Sequence, residues 1–337
     1  MRRRSMLKGI GAAATLSLAG CTGGSGGEYP SDDVDLIVPF DTGGGMDHIA
    51  RLSKPYWEEY LLGGEHNLVI KNVTGGGGTV GTEQAYSANA DGYTLLTNDS
   101  FQLIPHEIGR DPGFSVQDMS YLGVISQDPI GLTGSTDLEI ESFQDLVDQI
   151  DDLTFATQGK GSVGHLHPIV IGELTGAFSQ DEINFIHYEG VGAGITGMER
   201  GEADLAAFTA TSGHNVALGY DTVDLLFVWA DAALRDRISS GQIFASEIDA
   251  DGIDRIMDVS LFPRFYAGPP GMDEDVLSTL RDAFEQVIAD DEFMADAEEA
   301  NRVIVDPAGH ERIEEIVGNQ FELMSQEPFK GIIEEMF

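Results

Sequence analysis

Cysteine is nearly absent, Cys21 being the only one in 337 residues. A single thiol excludes an intrachain disulfide and any metal centre built on several cysteines. Lysine is almost as scarce, with Lys8, Lys54, Lys71, Lys160 and Lys330 alone, and Lys and Arg together number 18 against 58 Asp and Glu. That deficit leaves no basic face to neutralise a phosphate backbone, so no nucleic-acid partner is expected. Long apolar runs are missing too. The N-terminal one, Ile10–Ala19, falls well short of the roughly 20 residues a membrane-spanning helix needs.

What is present begins with charge. Without Arg2, Arg3, Arg4 and Lys8, 14 basic residues face 58 acidic ones, a net charge of −44 on the remaining chain. In dilute buffer such self-repulsion opposes compaction, whereas at molar salt the Debye length falls to about 3 Å. The acids are dispersed and 42% of residues are hydrophobic, so the chain folds rather than forming an acidic disordered tail. An acidic, lysine-poor globular protein is expected to work in brine.

The N-terminus indicates a destination. Arg2, Arg3, Arg4 and Lys8 precede the short apolar segment, and Leu18-Ala19-Gly20-Cys21 closes it with small residues before the cysteine. This order is that of a cleavable export signal. Arg3-Arg4-Ser5-Met6-Leu7-Lys8 resembles a twin-arginine signal, and the next piece resembles a lipobox, implying lipid attachment at Cys21. Residues 1–21 are therefore expected to be a signal and 22–29 a flexible, glycine-rich tether. The product would be an extracytoplasmic lipoprotein held at the cytoplasmic membrane.

Beyond the tether, a strand, a glycine-rich turn and a helix start follow one another four times. The turns are Pro39–Gly45, Thr74–Gly78, Gly159–Ser162 and Glu189–Gly192, after the apolar runs Leu36–Phe40, Leu68–Val73, Leu153–Ala156 and Ile183–Tyr188. A turn of this kind aims unpaired N–H groups, reinforced by the helix dipole, beyond the strand ends. Four of them predict a cleft for a small anion. Strand-like runs alternate with helical periodicity throughout, which predicts α/β layers with mainly parallel sheets. Strands are expected at Val34–Phe40, Tyr93–Thr97, Tyr121–Ser126, Leu205–Phe208, Val223–Val228 and Arg264–Gly268, with helices around Ser142–Ile150, Asp275–Ala289 and His310–Met324. Some 310 residues exceed one comfortable core, so two lobes are expected: 30–127 with 233–337, and 128–232. Trp57, Phe208 and Trp229 read as core.

Ile37-Val38-Pro39-Phe40 with Gly43–Gly45, Asp47 and Ala50-Arg51 resembles the opening motif of the Bug/TctC family, the extracytoplasmic solute receptors of tripartite tricarboxylate transporters. The likeness continues in Asn72 with Gly75–Gly78, in Asp91-Gly92-Tyr93-Thr94-Leu95-Leu96, in Gly159, Gly161-Ser162 and His165-Leu166, and in Tyr188, Gly190, Gly201 and Asp204. The resemblance implies a periplasmic-binding-protein-like fold of type II, two doubly wound lobes closing on a small carboxylate. It implies no cofactor and no catalysis, a two-component membrane permease as partner, and a monomer. Carried over by position, Phe40, Asp41, Thr42, Gly43, Gly44, Gly45 and Asp47 with Gly75, Gly76, Gly77 and Gly78 would line one side. Gln158, Gly161, Ser162, His165, Tyr188, Gly190, Gly192 and Asp204 would line the other.

Some residues depart from the family. Asp41, Thr42, His187 and Glu189 stand where prolines and a lysine are usual, and Asp41 and Glu189 are expected to point to solvent, since an unpaired charge in a cleft is costly. Other functions are weaker readings. Gly76–Gly81 fits GxGxxG with Asp99 about twenty residues on, as a dinucleotide enzyme would have it, but 42 glycines make such matches common. Ser162 with His165 lacks the orienting group and oxyanion hole of a nucleophilic pair; Ser162 reads better as a helix cap that also touches ligand. His165 and His167 supply no zinc spacing. A sensor ectodomain remains an alternative to a transport receptor.

Overall fold

The computed structural model describes residues 29–188, 191–238, 242–300, 302 and 304–337, the side chains of Val191 and Arg237 excepted. The export signal, Cys21 and nearly all of the tether lie outside the described residues, as do Glu189 and Gly190.

The chain opens with β1 (Val34–Val38), β2 (Leu68–Asn72) and β3 (Thr94–Asp99), joined by the helices Gly45–Tyr60 and Thr79–Tyr86. All three pair in parallel in the order β2-β1-β3. Next comes β4 (Ser120–Ser135), sixteen residues long and buried along almost its whole length. The alternation of a half-exposed strand is missing because elements cover both of its faces. Only Tyr121–Ser126 was legible as strand, because Gln127-Asp128-Pro129 reads as a break. Two features let those polar positions continue it. Gln127 donates its N–H to the Val305 carbonyl at 2.7 Å, and Pro129, which has no N–H, lies opposite Leu261.

This strand carries the chain across the molecule. Its first part pairs with β10 (Leu261–Gly268) and β11 (Ala308–Gly309), and its last part with β7 (Leu205–Thr209) and β8 (Val223–Val228). Around that last part lie β5 (Thr154–Thr157) and β6 (Asn184–His187), parallel to each other, with β5 parallel to β7; β9 (Ile243–Phe244) joins β8. The second half of the sheet therefore continues past residue 232. Strand β10 brings the chain back, antiparallel to both β3 and β4. The result is one curled mixed sheet with two α/β halves and two crossing strands.

Helix packing follows the apolar faces. Trp57 is fully buried against Tyr266 and Phe284, with ring centroids 5.5 and 5.9 Å away, and the Ser53 hydroxyl meets the Tyr266 hydroxyl at 2.8 Å. Trp229 is likewise fully buried and stacks on Phe227. Of the helices that were not anticipated, two bear on the site, Ser100–Arg110 and Ala210–Gly219. Neither follows a glycine turn. The first starts on Asp99, whose carboxylate accepts the Gln102 N–H at 2.9 Å, and the second starts directly on Thr209 at the end of β7.

Candidate functional site

Between the two halves lies a cleft of about 890 Å³, into which the carboxyl ends of β1, β3, β5 and β7 lead. Ligands of open α/β sheets sit at such strand ends. Three of the four glycine turns contribute residues to it.

The first turn lines the cleft through Phe40, Asp41, Gly44 and Gly45. Its shape is set from behind by Asp47, whose side chain is only 1% exposed. Asp47 Oδ2 accepts the Gly43 N–H at 2.8 Å and Arg51 Nε at 2.9 Å, while Oδ1 accepts Asn72 Nδ2 at 3.0 Å. Burial alone would raise this carboxyl, but the hydrogen bonds from Arg51, Gly43 and Asn72 outweigh it and hold the pKa at about 2. Gly43 thus gives its amide to Asp47, and Thr42 gives its hydroxyl to Asn72. Neither lines the cleft. What the turn presents is the start of the helix Gly45–Tyr60, whose N-cap Gly44 brings no side chain to satisfy the first amides. Asp41 was expected to point only to solvent; it is exposed and also lines the mouth.

In the second turn Gly75 to Gly78 all have positive φ (129°, 58°, 68° and 94°), which leaves little alternative to glycine there. Gly76 and Gly77 line the cleft. Gly78 packs beside the Phe40 ring and Gly75 beside Val80, and neither is part of the lining.

The third turn contributes Gln158, Lys160, Gly161 and Ser162. Ser162 holds the N-cap position of the helix Val163–Thr175 but does not cap it; its hydroxyl donates to the Gly159 carbonyl at 2.8 Å. That corrects the expected capping role: the Ser162 side chain satisfies none of the helix's first amides, and Ser162 and Val163 line the cleft. His165 is not in the lining. It lies behind the turn, 5% exposed, and its Nδ1 accepts the Gly161 N–H at 3.2 Å. Burial, with His187 and Lys160 adding, lowers its pKa to about 4, so at neutral pH the ring is uncharged and can accept. His167 is fully buried and paired with Ser260 at 2.7 Å.

The remaining expected residues lie elsewhere. Tyr188 turns its ring against Gly197, with its hydroxyl 3.4 Å from Glu202. Gly192 sits exposed in the helix Val191–Glu199 and does not line the cleft, and Gly190 lies outside the described residues. Asp204 accepts the Thr154 N–H at 2.8 Å, tying β5 to β7 at their amino ends. It precedes the five-residue strand that ends at Thr209 in the cleft, roughly 15 Å of β-strand away.

In place of the fourth turn stands the Thr209 start of the helix Ala210–Gly219, which contributes Thr209 and Ser212; the Thr209 side chain does not cap it, and Asp128 accepts the Thr211 N–H at 3.3 Å. The helix Ser100–Arg110 contributes Gln102, His106 and Arg110, while Phe262, Arg264 and Arg302 complete the lining. For the residues of the two helices the only signal in the sequence was position after a strand; Phe262 and Arg264 lie within β10, and Arg302 follows the helix Asp291–Glu299. Among the described residues four basic side chains therefore face the cleft (Arg110, Lys160, Arg264 and Arg302) in a chain of formal net charge −40. Asp99, the acid that a dinucleotide site would use, is instead a fully buried helix cap.

Comparison with known proteins follows the same lines. The profile described as tripartite tricarboxylate transporter family receptor, TctC, matches residues 62–301. A protein of the TAR-I ttuE-ttuC' intergenic region in Agrobacterium vitis is 30% identical over 192 residues, covering 55% of this chain and 53% of that one. The chain thus spans about half the length of this curated relative. MatC from Rhodopseudomonas palustris, solved with bound malate, superposes with a TM-score of 0.69 at 17% identity, covering 90% of this chain and 100% of MatC. An R. palustris protein solved with adipate gives 0.66 at 20% identity, covering 90% and 99%. At such identities the likeness is one of fold, shared also with the periplasmic binding protein BugD, which superposes with a TM-score of 0.69 at 19% identity and covers 91% of this chain and 98% of BugD.

Proposed function

Because the chain belongs to the family of tripartite tricarboxylate transporter receptors, we propose that it is an extracytoplasmic solute receptor that captures a small organic acid and passes it to a two-component membrane permease. The export signal and Cys21 would place it at the outer face of the cytoplasmic membrane on a lipid anchor, in a salty medium. The family is one of receptors, not enzymes, and binding requires no bond to form or break.

One observation carries the ligand class. Helix starts at Gly44 and Ser162 without a side-chain cap, the helix start at Thr209, where Asp128 takes only the Thr211 amide, and the positive-φ amides of Gly76 and Gly77 meet in one cleft, which also holds four cations of the described residues. Amides fixed in a turn donate to a carboxylate without reorganising, and each charge-assisted hydrogen bond is worth about 1.5–3 kcal/mol. Asp47 and His165 act behind the turns, each taking up one glycine amide and so orienting the next. A small carboxylate fits the volume, and malate and adipate occupy two structural neighbours.

The test is a thermal-shift panel of mono-, di- and tricarboxylates and amino acids on the full chain in molar KCl. A true ligand at about 100 times its Kd stabilises by about 2.7 kcal/mol, a rise of a few degrees in Tm. A panel without any organic acid that raises the Tm removes the proposal.

A further inference from the structure

The basic residues of this chain are few and nearly all committed. Among the described side chains, nine arginines and lysines make an ion pair: Arg51, Lys54, Lys71, Arg200, Arg235, Arg264, Arg281, Arg312 and Lys330. Arg110, Lys160, Arg255 and Arg302 have no carboxylate partner among the described residues. With 58 acids present, a cation without one is unusual, and three of these four line the cleft. Arg110 and Lys160 are exposed at its rim, and Arg110 lies over the Phe337 ring at 4.4 Å. Arg302 is half-buried beside Arg264.

The two guanidiniums differ in their surroundings. Arg264 is held by Asp128, Nη1 to Oδ2 at 3.4 Å, and lies over the Phe262 ring at 5.2 Å. Asp128 also accepts the Thr211 hydroxyl and amide, so it is fully engaged. Among the described residues nothing comparable serves Arg302. Burial, and then the charge of Arg264, lower its pKa, which is the signature of two like charges sharing a wall. Thr209 and Ser212 line the same cleft, and their neighbour Thr211 binds the Asp128 that holds Arg264. The Thr209 hydroxyl donates to Ser212 Oγ at 2.8 Å, which leaves the Ser212 proton available to a guest.

We propose that Arg302, backed by Arg264 and flanked by the Ser212 hydroxyl, is a second anion subsite of the cleft, separate from the glycine-turn amides. It makes the receptor select ligands that carry two anionic groups. The inference rests on the carboxylate-receptor reading above and adds to it the residue that counts charge. A contact ion pair survives brine, since screening over about 3 Å removes long-range attraction but not a direct hydrogen-bonded pair.

The experiment is calorimetry on the full chain in molar KCl with two probe pairs, succinate against butyrate and adipate against hexanoate, each differing by one carboxylate. The native protein is expected to prefer the diacid by at least about tenfold. Arg302→Gln should weaken diacid binding by about 10- to 100-fold, the worth of one charge-assisted contact, and leave the monoacid within about threefold. Arg302→Lys should recover most of the loss. A Gln variant that weakens both members of a pair equally, or neither, overturns the subsite and leaves the receptor reading intact. Native protein that binds neither pair nor citrate removes the carboxylate reading, and the subsite falls with it. A far-ultraviolet spectrum and melting curve matching native protein establish that the Gln variant is folded.

Discussion

The ring of Phe337 joins the two halves of the molecule beside the cleft, and a double-mutant cycle can measure that contact. On one side the ring stacks on His106, with centroids 4.8 Å apart, under the Arg110 guanidinium. On the other it meets the third glycine turn: a Cβ placed on Gly161 would stand 2.6 Å from Phe337 Cζ. Gly161→Ala therefore has two separable costs. Its φ of 79° lies in the left-handed region, costing an L-residue about 1–2 kcal/mol. The overlap with the ring adds an overpacking cost of about 1–3 kcal/mol. Phe337→Ala alone removes a half-buried aromatic and should cost about 1–3 kcal/mol, below the range for a fully buried ring. In the double variant the overlap is relieved while the backbone cost remains. Its destabilisation should fall short of the summed single values by at least about 1 kcal/mol. Denaturant unfolding in molar KCl, followed by tryptophan fluorescence, reads all four corners of the cycle. Costs that add within about 0.5 kcal/mol would show that ring and turn do not meet, and would refute the reasoning.

Three further outcomes are expected. Asp47 stays ionised in the fold down to about pH 2, whereas the unfolded chain protonates it near the ordinary carboxylate value of 3.8, so it stabilises by about 2 kcal/mol at neutral pH. Because the folded value is depressed, that contribution is full above about pH 5 and fades as pH falls toward 2. The stability gap between native protein and Asp47→Asn should close over the same window, and a gap unchanged from pH 7 to pH 2 contradicts the assignment. Gly77→Val forces a β-branched residue into φ 68° with its Cβ 2.7 Å from His106 Nε2, and calorimetry should find carboxylate binding reduced at least about tenfold; unaltered affinity would place the second turn outside the site. Asp41→Asn removes an exposed negative charge at the mouth and should raise carboxylate affinity by no more than about fivefold, the scale of surface charge pairs. A gain of a hundredfold would mean that this charge sits against the ligand.

The alternation of apolar runs and helical periodicity was sufficient to read an α/β fold, and the strands of its parallel units lie within a residue or two of expectation. Where reading along the chain went astray, polar residues were serving tertiary contacts. Gln127 and Asp128 look like a loop and are instead the middle of β4, since Gln127 bonds Val305 and Asp128 holds Arg264. In the site, the motif residues Asp47 and His165 were visible, but their tasks were not. Both lie behind the turns because each spends its acceptor on a glycine amide. The helices beginning after Asp99 and Thr209 went unnoticed, as a strand followed directly by a helix carries no glycine to announce it.

Composition and local pattern alone determined the chain's acidity, which residues form the first three glycine turns, and that those turns follow strands. These are properties of neighbouring residues, governed by charge density, steric freedom at Cα and hydrophobic period. Which helix starts share a hollow was decided by the order of strands in the sheet. That order sets β7 beside β4 and β5, so that Thr209 stands in the cleft while Tyr188 and Gly192 do not. The gathering of Arg110, Lys160, Arg264 and Arg302 was decided the same way. Residues so far apart in sequence meet only through the two strands that cross the molecule, and a one-dimensional pattern carries no signal for such a meeting.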